Sequence, residues 1–196
     1  MEQHEENIRK AINQVNSIIQ KNPLAFLTES DIQCKLYSAL LPFFGDLESV
    51  TNTSIWGTDS PNRLKLINST RLHSELLLPK GRIDLAIVDL KATRFAFNSK
   101  GRFGHVQLEA GNHVFIEIKV SRTHRSSITS QNQWLQLLNS DIEKLKEYPW
   151  LSFLLAYDFD FQLSNEKIKA ISKETGPHTH LIYLKDSYMC SYFEKT

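Results

Sequence analysis

The sequence predicts one mixed α/β (α+β) domain, a central mixed β-sheet flanked by helices. Three observations predict it. Helical spacing of apolar residues fills the first two segments, and apolar runs typical of strands begin at Arg71. Beyond Asn112 strands and helices alternate, an order that builds a sheet with helices on its faces. A chain of 196 residues has room for one sizeable core, so residues 1–196 read as a single domain.

The elements follow in order. Ile8, Ala11, Ile12, Val15, Ile18 and Ile19 recur at threes and fours, the stripe of an amphipathic helix that Asn22-Pro23 ends. Thr28 is the expected N-cap of a second helix, with Asp31 as its capping-box partner. That helix should bury Ile32, Leu36, Ala39, Leu40 and Phe43, with Pro42 and Gly45 marking its exit. Residues 46–70 are polar and rich in turn formers, so a long surface loop with at most a short strand is expected. Residues 71–78 and 82–90, joined by Pro79-Lys80-Gly81, read as a hairpin. Residues 91–112 suggest another, turning near Ser99–Gly101. NHVFIEIKV (Asn112–Val120) is almost continuously apolar or β-branched, as in a central strand buried on both faces. A polar connection leads to a helix over 130–148 that buries Trp134, Leu135, Leu138, Ile142 and Leu145. A strand over 150–159, a helix begun by Ser164, a core strand THLIYLK and an edge segment SYMCSYF complete the chain.

Composition narrows the function classes. Hydrophobic residues make up 41% and charged residues 23%, the balance of a folded globular chain. A net charge of +1 argues against a polybasic mode of nucleic-acid binding but allows a local basic rim around an acidic centre. Two cysteines, Cys34 and Cys190, form no disulfide framework and are too few for a structural zinc site. The polar start MEQHEENIRK shows no secretory signal and no run is long enough to span a membrane, so a cytoplasmic protein without membrane contact is expected. Gly-rich phosphate loops and nucleophile elbows are absent from the sequence.

Chemistry enters where a core strand should be apolar. In RIDLAIVD strict alternation places Ile83, Leu85 and Ile87 on one face and Asp84, Ala86 and Val88 on the other. In FIEIKV it places Phe115, Glu117 and Lys119 together, opposite Ile116, Ile118 and Val120. An unpaired buried charge costs several kcal/mol, so such a face needs a compensating partner. A divalent metal beside Asp84, Glu117 and Lys119 is one such partner. Each residue alone reads better as a solvated strand charge than as a ligand; the combination is what points to a site.

This constellation resembles the PD-(D/E)xK nuclease superfamily, the restriction-endonuclease-like fold. Asp84 in GRIDLAIVD and Glu117 and Lys119 in FIEIKV carry the resemblance, across a hairpin-sized insertion, and it spans roughly residues 24–160. Ile83 stands where the name motif has proline. Families of this kind commonly carry a further acid on a helix before the sheet. Glu29 is the best match, because Glu29, Ile32 and Leu36 at i, i+3 and i+7 share the sheet-facing side. The same residue is also explained as a first-turn glutamate favoured by the helix dipole.

The resemblance implies metal-dependent hydrolysis of phosphodiester bonds in DNA, as an endonuclease using Mg²⁺ (or Mn²⁺). Asp84, Glu117 and the Ile118 carbonyl would supply hard oxygen ligands to a metal that activates the attacking water. Lys119 would orient that water and stabilise charge on the phosphate, and Glu29 would hold a second metal or a metal-bound water. His73 and Glu75 are candidates for the rim of the site. Lys80, Arg82, Arg122 and Arg125, with His124 nearby, are candidates for phosphate contacts. Asp141 and Lys144 are placed to support the site from the long helix or to form a surface ion pair. Cutting both strands at once calls for two sites, which a homodimer would provide. The rival is a catalytically inactive nuclease-fold module that binds nucleic acid or a protein partner.

Overall fold

The computed structural model describes residues 2–22, 25–26, 28–52, 65–97, 103–121, 129–185 and 189–192. The chain opens with α1 (Glu2–Lys21) and α2 (Glu29–Phe44). The stripe expected of α1 is buried at Ile8, Ala11, Ile12, Val15 and Ile19. The capping box of α2 is complete: Asp31 N donates to Thr28 Oγ1 at 3.2 Å, and Thr28 N to the Asp31 carboxylate at 2.8 Å. Phe43, expected in the core, is 45% exposed, and Phe44 is buried instead. The helix runs through Pro42, so the spacing of four set by Ile32, Leu36 and Leu40 carries on to Phe44.

β1 (Glu48–Asn52) and β2 (Lys65–Ser69) pair antiparallel, where a loop with at most one short strand was expected. Their sequences ESVTN and KLINS are too polar to announce a buried face, so periodicity misses them. Residues 53–64, with Trp56 and most of the turn formers, lie outside the described residues. β3 (Leu72–Leu78) and β4 (Gly81–Ile87) form the expected hairpin, with Leu78 paired to Gly81 around Pro79-Lys80. Gly81 has φ +132°, a conformation that only glycine adopts without strain. β5 (Thr93–Phe97) and β6 (Phe103–Leu108) pair antiparallel; the expected turn near 99–101 lies outside the described residues.

The remaining elements are β7 (Val114–Ser121), α3 (Gln131–Lys146), β8 (Leu151–Asp158), α4 (Asn165–Glu174), β9 (Thr179–Lys185) and β10 (Met189–Tyr192). The main sheet has the order β10-β9-β8-β7-β4-β3. β7, β8 and β9 run parallel, while β4 pairs β7, and β3 pairs β4, antiparallel. The fold is therefore the predicted mixed α/β sheet flanked by helices. One face carries Leu85, Ile116, Ile118, Phe153 and Leu155 into a core with α1 and α2. The other packs Phe115, Leu154, Ala156 and Tyr183 against Trp134, Leu138 and Ile142 of α3 and Ile168 and Ile171 of α4. Among the described residues, no helix is long and apolar enough to cross a membrane.

The hairpin departs from strict alternation in a way that shapes the site. Leu72 packs into the α1/α2 core, yet Leu76 and Leu78 on the same strand pack with α3. Likewise Ile83 joins the α3 side, while Leu85 and Ile87 join the other. The expectation that Ile83 shares a face with Leu85 and Ile87 is thus corrected. The cause is local: Glu75, between the paired positions Ser74↔Leu85 and Leu76↔Ile83, has φ +55°. A non-glycine residue in that region turns the strand over at a cost of about 1–3 kcal/mol.

Candidate active site

The site forms where β4 and β7 part. Their ladder pairs Ile87↔Val114, Ala86↔Phe115 and Leu85↔Ile116, and one step further it would set Asp84 opposite Glu117. Two carboxylates facing each other across a ladder repel. Instead, the Asp84 carboxylate accepts the Ile118 amide at 2.7 Å, so a side chain replaces the missing ladder bond. That bond fixes the backbone of Ile118, the residue before Lys119, and the Lys119 Nζ folds back onto the Ile118 carbonyl at 3.2 Å. Lys119 lies beside Ala156 of β8, a small neighbour on the same face.

Helices supply the partners. Lys119 Nζ is 3.3 Å from Glu29 Oε1 in the first turn of α2 and 3.4 Å from Asp141 Oδ2 in α3. Lys144, one helical turn from Asp141, reaches Glu117 Oε1 at 2.7 Å, Asp141 Oδ1 at 3.5 Å and the Arg82 carbonyl at 3.0 Å. Glu29, Asp84, Glu117, Lys119, Asp141 and Lys144 therefore form one cluster, four carboxylates against two ammonium groups. Glu117 is 1% exposed and Glu29 40%, so the cluster has a buried floor and an open side toward α2.

The electrostatics follow from that geometry. Burial, then repulsion from Asp84, pushes the Glu117 carboxyl up to about 8, even with Lys144 acting against it. Burial also raises Asp84, against the pull of the Ile118 amide and Lys119, and raises Glu29 against Lys119. Burial alone would lower Lys119, but Asp141, Glu29, Asp84 and Glu117 outweigh it and hold the ammonium above its ordinary value. Lys119 is thus a fixed cation at neutral pH.

The remaining candidates fall in different places. Glu75 stands at the rim: Gln33 Nε2 of α2 donates at 2.8 Å both to Glu75 and to the Asp84 carbonyl. Arg82 pairs with Glu75 at 3.1 Å, its side chain turned to solvent. Lys80 lies outside the cluster, 3.5 Å from Glu147. His73, expected beside Glu75, does not join it, because the turn-over at Glu75 separates them; its ring is half-buried and bonds the Thr70 backbone, and its Nε2 has no hydrogen-bond partner among the described residues. Arg122, His124 and Arg125 lie outside the described residues. Trp134 is a core residue, its Nε1 donating to Tyr183 at 3.0 Å. Gln33 is the residue that sequence reasoning missed. Its signal is modest: it stands four residues after Glu29, on the same helix face.

Among the described residues, no three or more His, Cys, Asp or Glu side chains are gathered as for a metal ion. A smaller oxygen set is present: the Asp84 carboxylate on the Ile118 amide, the carboxylate of the adjoining Glu117, and the Ile118 carbonyl, which accepts from Lys119. Glu117 Oε1 and Asp141 Oδ2 touch lysines without a well-directed hydrogen bond. The donors are hard oxygens with spare lone pairs and an excess of negative charge. They suit Mg²⁺, which keeps several waters and uses one or two carboxylates. No protein-family model, curated protein or solved structure matches the chain.

Proposed function

We propose that the chain is a restriction-endonuclease-like enzyme that hydrolyses phosphodiester bonds in DNA with Mg²⁺ or Mn²⁺, acting as an endonuclease. One observation carries the reading: the Asp84–Ile118 bond at the parting of β4 and β7, which sets Asp84 against the backbone of the residue between Glu117 and Lys119. Asp84, Glu117 and the Ile118 carbonyl would hold the cation, which when bound neutralises the phosphate and acidifies the attacking water. Lys119 donates from its ammonium to that water or to a phosphate oxygen, in a pocket where a fixed cation acts strongly. Glu29, on the open side, orients Lys119 and keeps it charged. Arg82, exposed at the rim, is available to a phosphate of the backbone. A homodimer would present one such centre to each strand.

A second reading has its own support. Lys144 already pairs with Glu117, whose carboxyl is held up at about 8 by burial, so the cluster is electrically tolerable without a cation, as in an inactive module that binds nucleic acid or protein. Incubation with supercoiled and linear DNA in Mg²⁺, Mn²⁺ or EDTA separates the two. The enzyme reading predicts metal-dependent cutting that falls by at least about 100-fold in Lys119→Met. Binding without cutting under all three conditions supports the module.

A further inference from the structure

Glu117 is the most buried carboxylate of the cluster, and among the described residues one ammonium reaches it: Lys144, at 2.7 Å. Lys119, two positions along the same strand face, is engaged by Glu29 and Asp141 instead. Breaking a buried ion pair by removing one partner is strongly destabilising, because it strands the other charge. Lys144 is well placed for more than this. Its ammonium donates to the Arg82 carbonyl at 3.0 Å and lies within ion-pair distance of Glu117 and, at 3.5 Å, of Asp141. An ammonium that leaves Glu117 keeps two acceptors within reach, so its displacement is not a loss of all its bonds. The stem runs past the β3–β4 turn, where a Cβ on Gly81 would stand 3.6 Å from Lys144 Cδ.

We infer that Lys144 is a built-in counter-cation that competes with the divalent metal for Glu117 and so sets the metal affinity of the site. The inference rests on the metal-dependent reading above. Two positive charges cannot share one buried carboxylate at contact distance without strong repulsion. Metal binding therefore requires the ammonium to swing from Glu117 toward Asp141 and the Arg82 carbonyl. In the absence of metal the lysine keeps the floor of the site folded; in its presence it is the group displaced.

The test is Mn²⁺ binding by the full chain, read by calorimetry and by Mn²⁺ electron paramagnetic resonance at one fixed pH. Thermal melts in EDTA and in saturating Mn²⁺ accompany it. Lys144→Met keeps the stem and removes the charge. It should bind Mn²⁺ roughly tenfold or more tighter than the wild type, melt lower in EDTA, and gain more on adding Mn²⁺. Lys144→Gln, which retains a neutral donor to Glu117, should shift affinity the same way should Lys144→Met fail to fold. Lys80→Met, outside the cluster, should change neither reading. A wild type that binds Mn²⁺, with both Lys144 variants binding it no tighter, overturns the competition alone. No Mn²⁺ binding by any of the proteins overturns the metal-dependent reading and the inference with it.

Discussion

At the scale of single residues, Glu117 makes the sharpest claim. Its carboxyl is held near 8 rather than 4.5, chiefly by burial and then by Asp84. A carboxyl whose pKa rises on folding takes up a proton in the folded state more readily than in the unfolded one. Its contribution to stability is full below about pH 4.5 and is lost as pH rises through 8. In EDTA, denaturant melts should show stability declining from Glu117 across this window by a few kcal/mol. Glu117→Gln should flatten that part of the profile. An unchanged slope in the variant would mean that Glu117 does not carry the proton. Glu117 and Lys119 were legible in the sequence because a charged pair interrupts an otherwise apolar strand. Lys144 was ambiguous, since a lysine three residues after an aspartate in a helix reads equally as a surface pair. Only the approach of α3 to β7 decides that both turn inward.

At the scale of elements, three local devices place the cluster. The capping box begins α2 so that Glu29 falls in its first turn, within reach of Lys119. Thr28→Ala should cost about 1 kcal/mol of stability, a fall in melting temperature of about 2–4 °C for a chain of this size. An unchanged melting temperature would show that the cap does not hold the helix start. The second device is the turn-over at Glu75, and the third is the parting of β4 from β7. Helix starts and the central strand could be read from the sequence, because caps and apolar periods are local signals. The turn-over could not. Nothing in LHSELLL marks Glu75 for a positive φ, and strict alternation therefore put Ile83 on the wrong face and His73 beside Glu75. Phe43 failed for a different reason: seven residues after Leu36 it fits the helical stripe, as Phe44 does four residues after Leu40, and Phe44 is the one buried.

At the scale of the whole molecule, the mixed sheet holds two buried carboxylate clusters of different build, two residues apart along β7 and β8. At the end of β8, Asp158 is fully buried and accepts from Ser121, Phe161, Leu163 and Tyr183, and Tyr183 in turn accepts from Trp134. That satisfied knot ties β7, β8, β9 and α3 together. The Asp84–Glu117–Lys119 cluster is built otherwise: its carboxylates outnumber its lysines, and two of its buried oxygens lack directed hydrogen bonds. The contrast between one fully satisfied buried carboxylate and others short of partners is what the proposed chemistry draws on. The most direct measurement is the cleavage of supercoiled plasmid by the wild type and by Asp84→Asn in Mg²⁺. Asparagine keeps an oxygen for the Ile118 amide but removes the charge. The account predicts nicked and linear DNA from the wild type, none in EDTA, and none from an Asp84→Asn protein with an unaltered melting temperature. Wild-type rates from Asp84→Asn, or cutting that persists in EDTA, would contradict it.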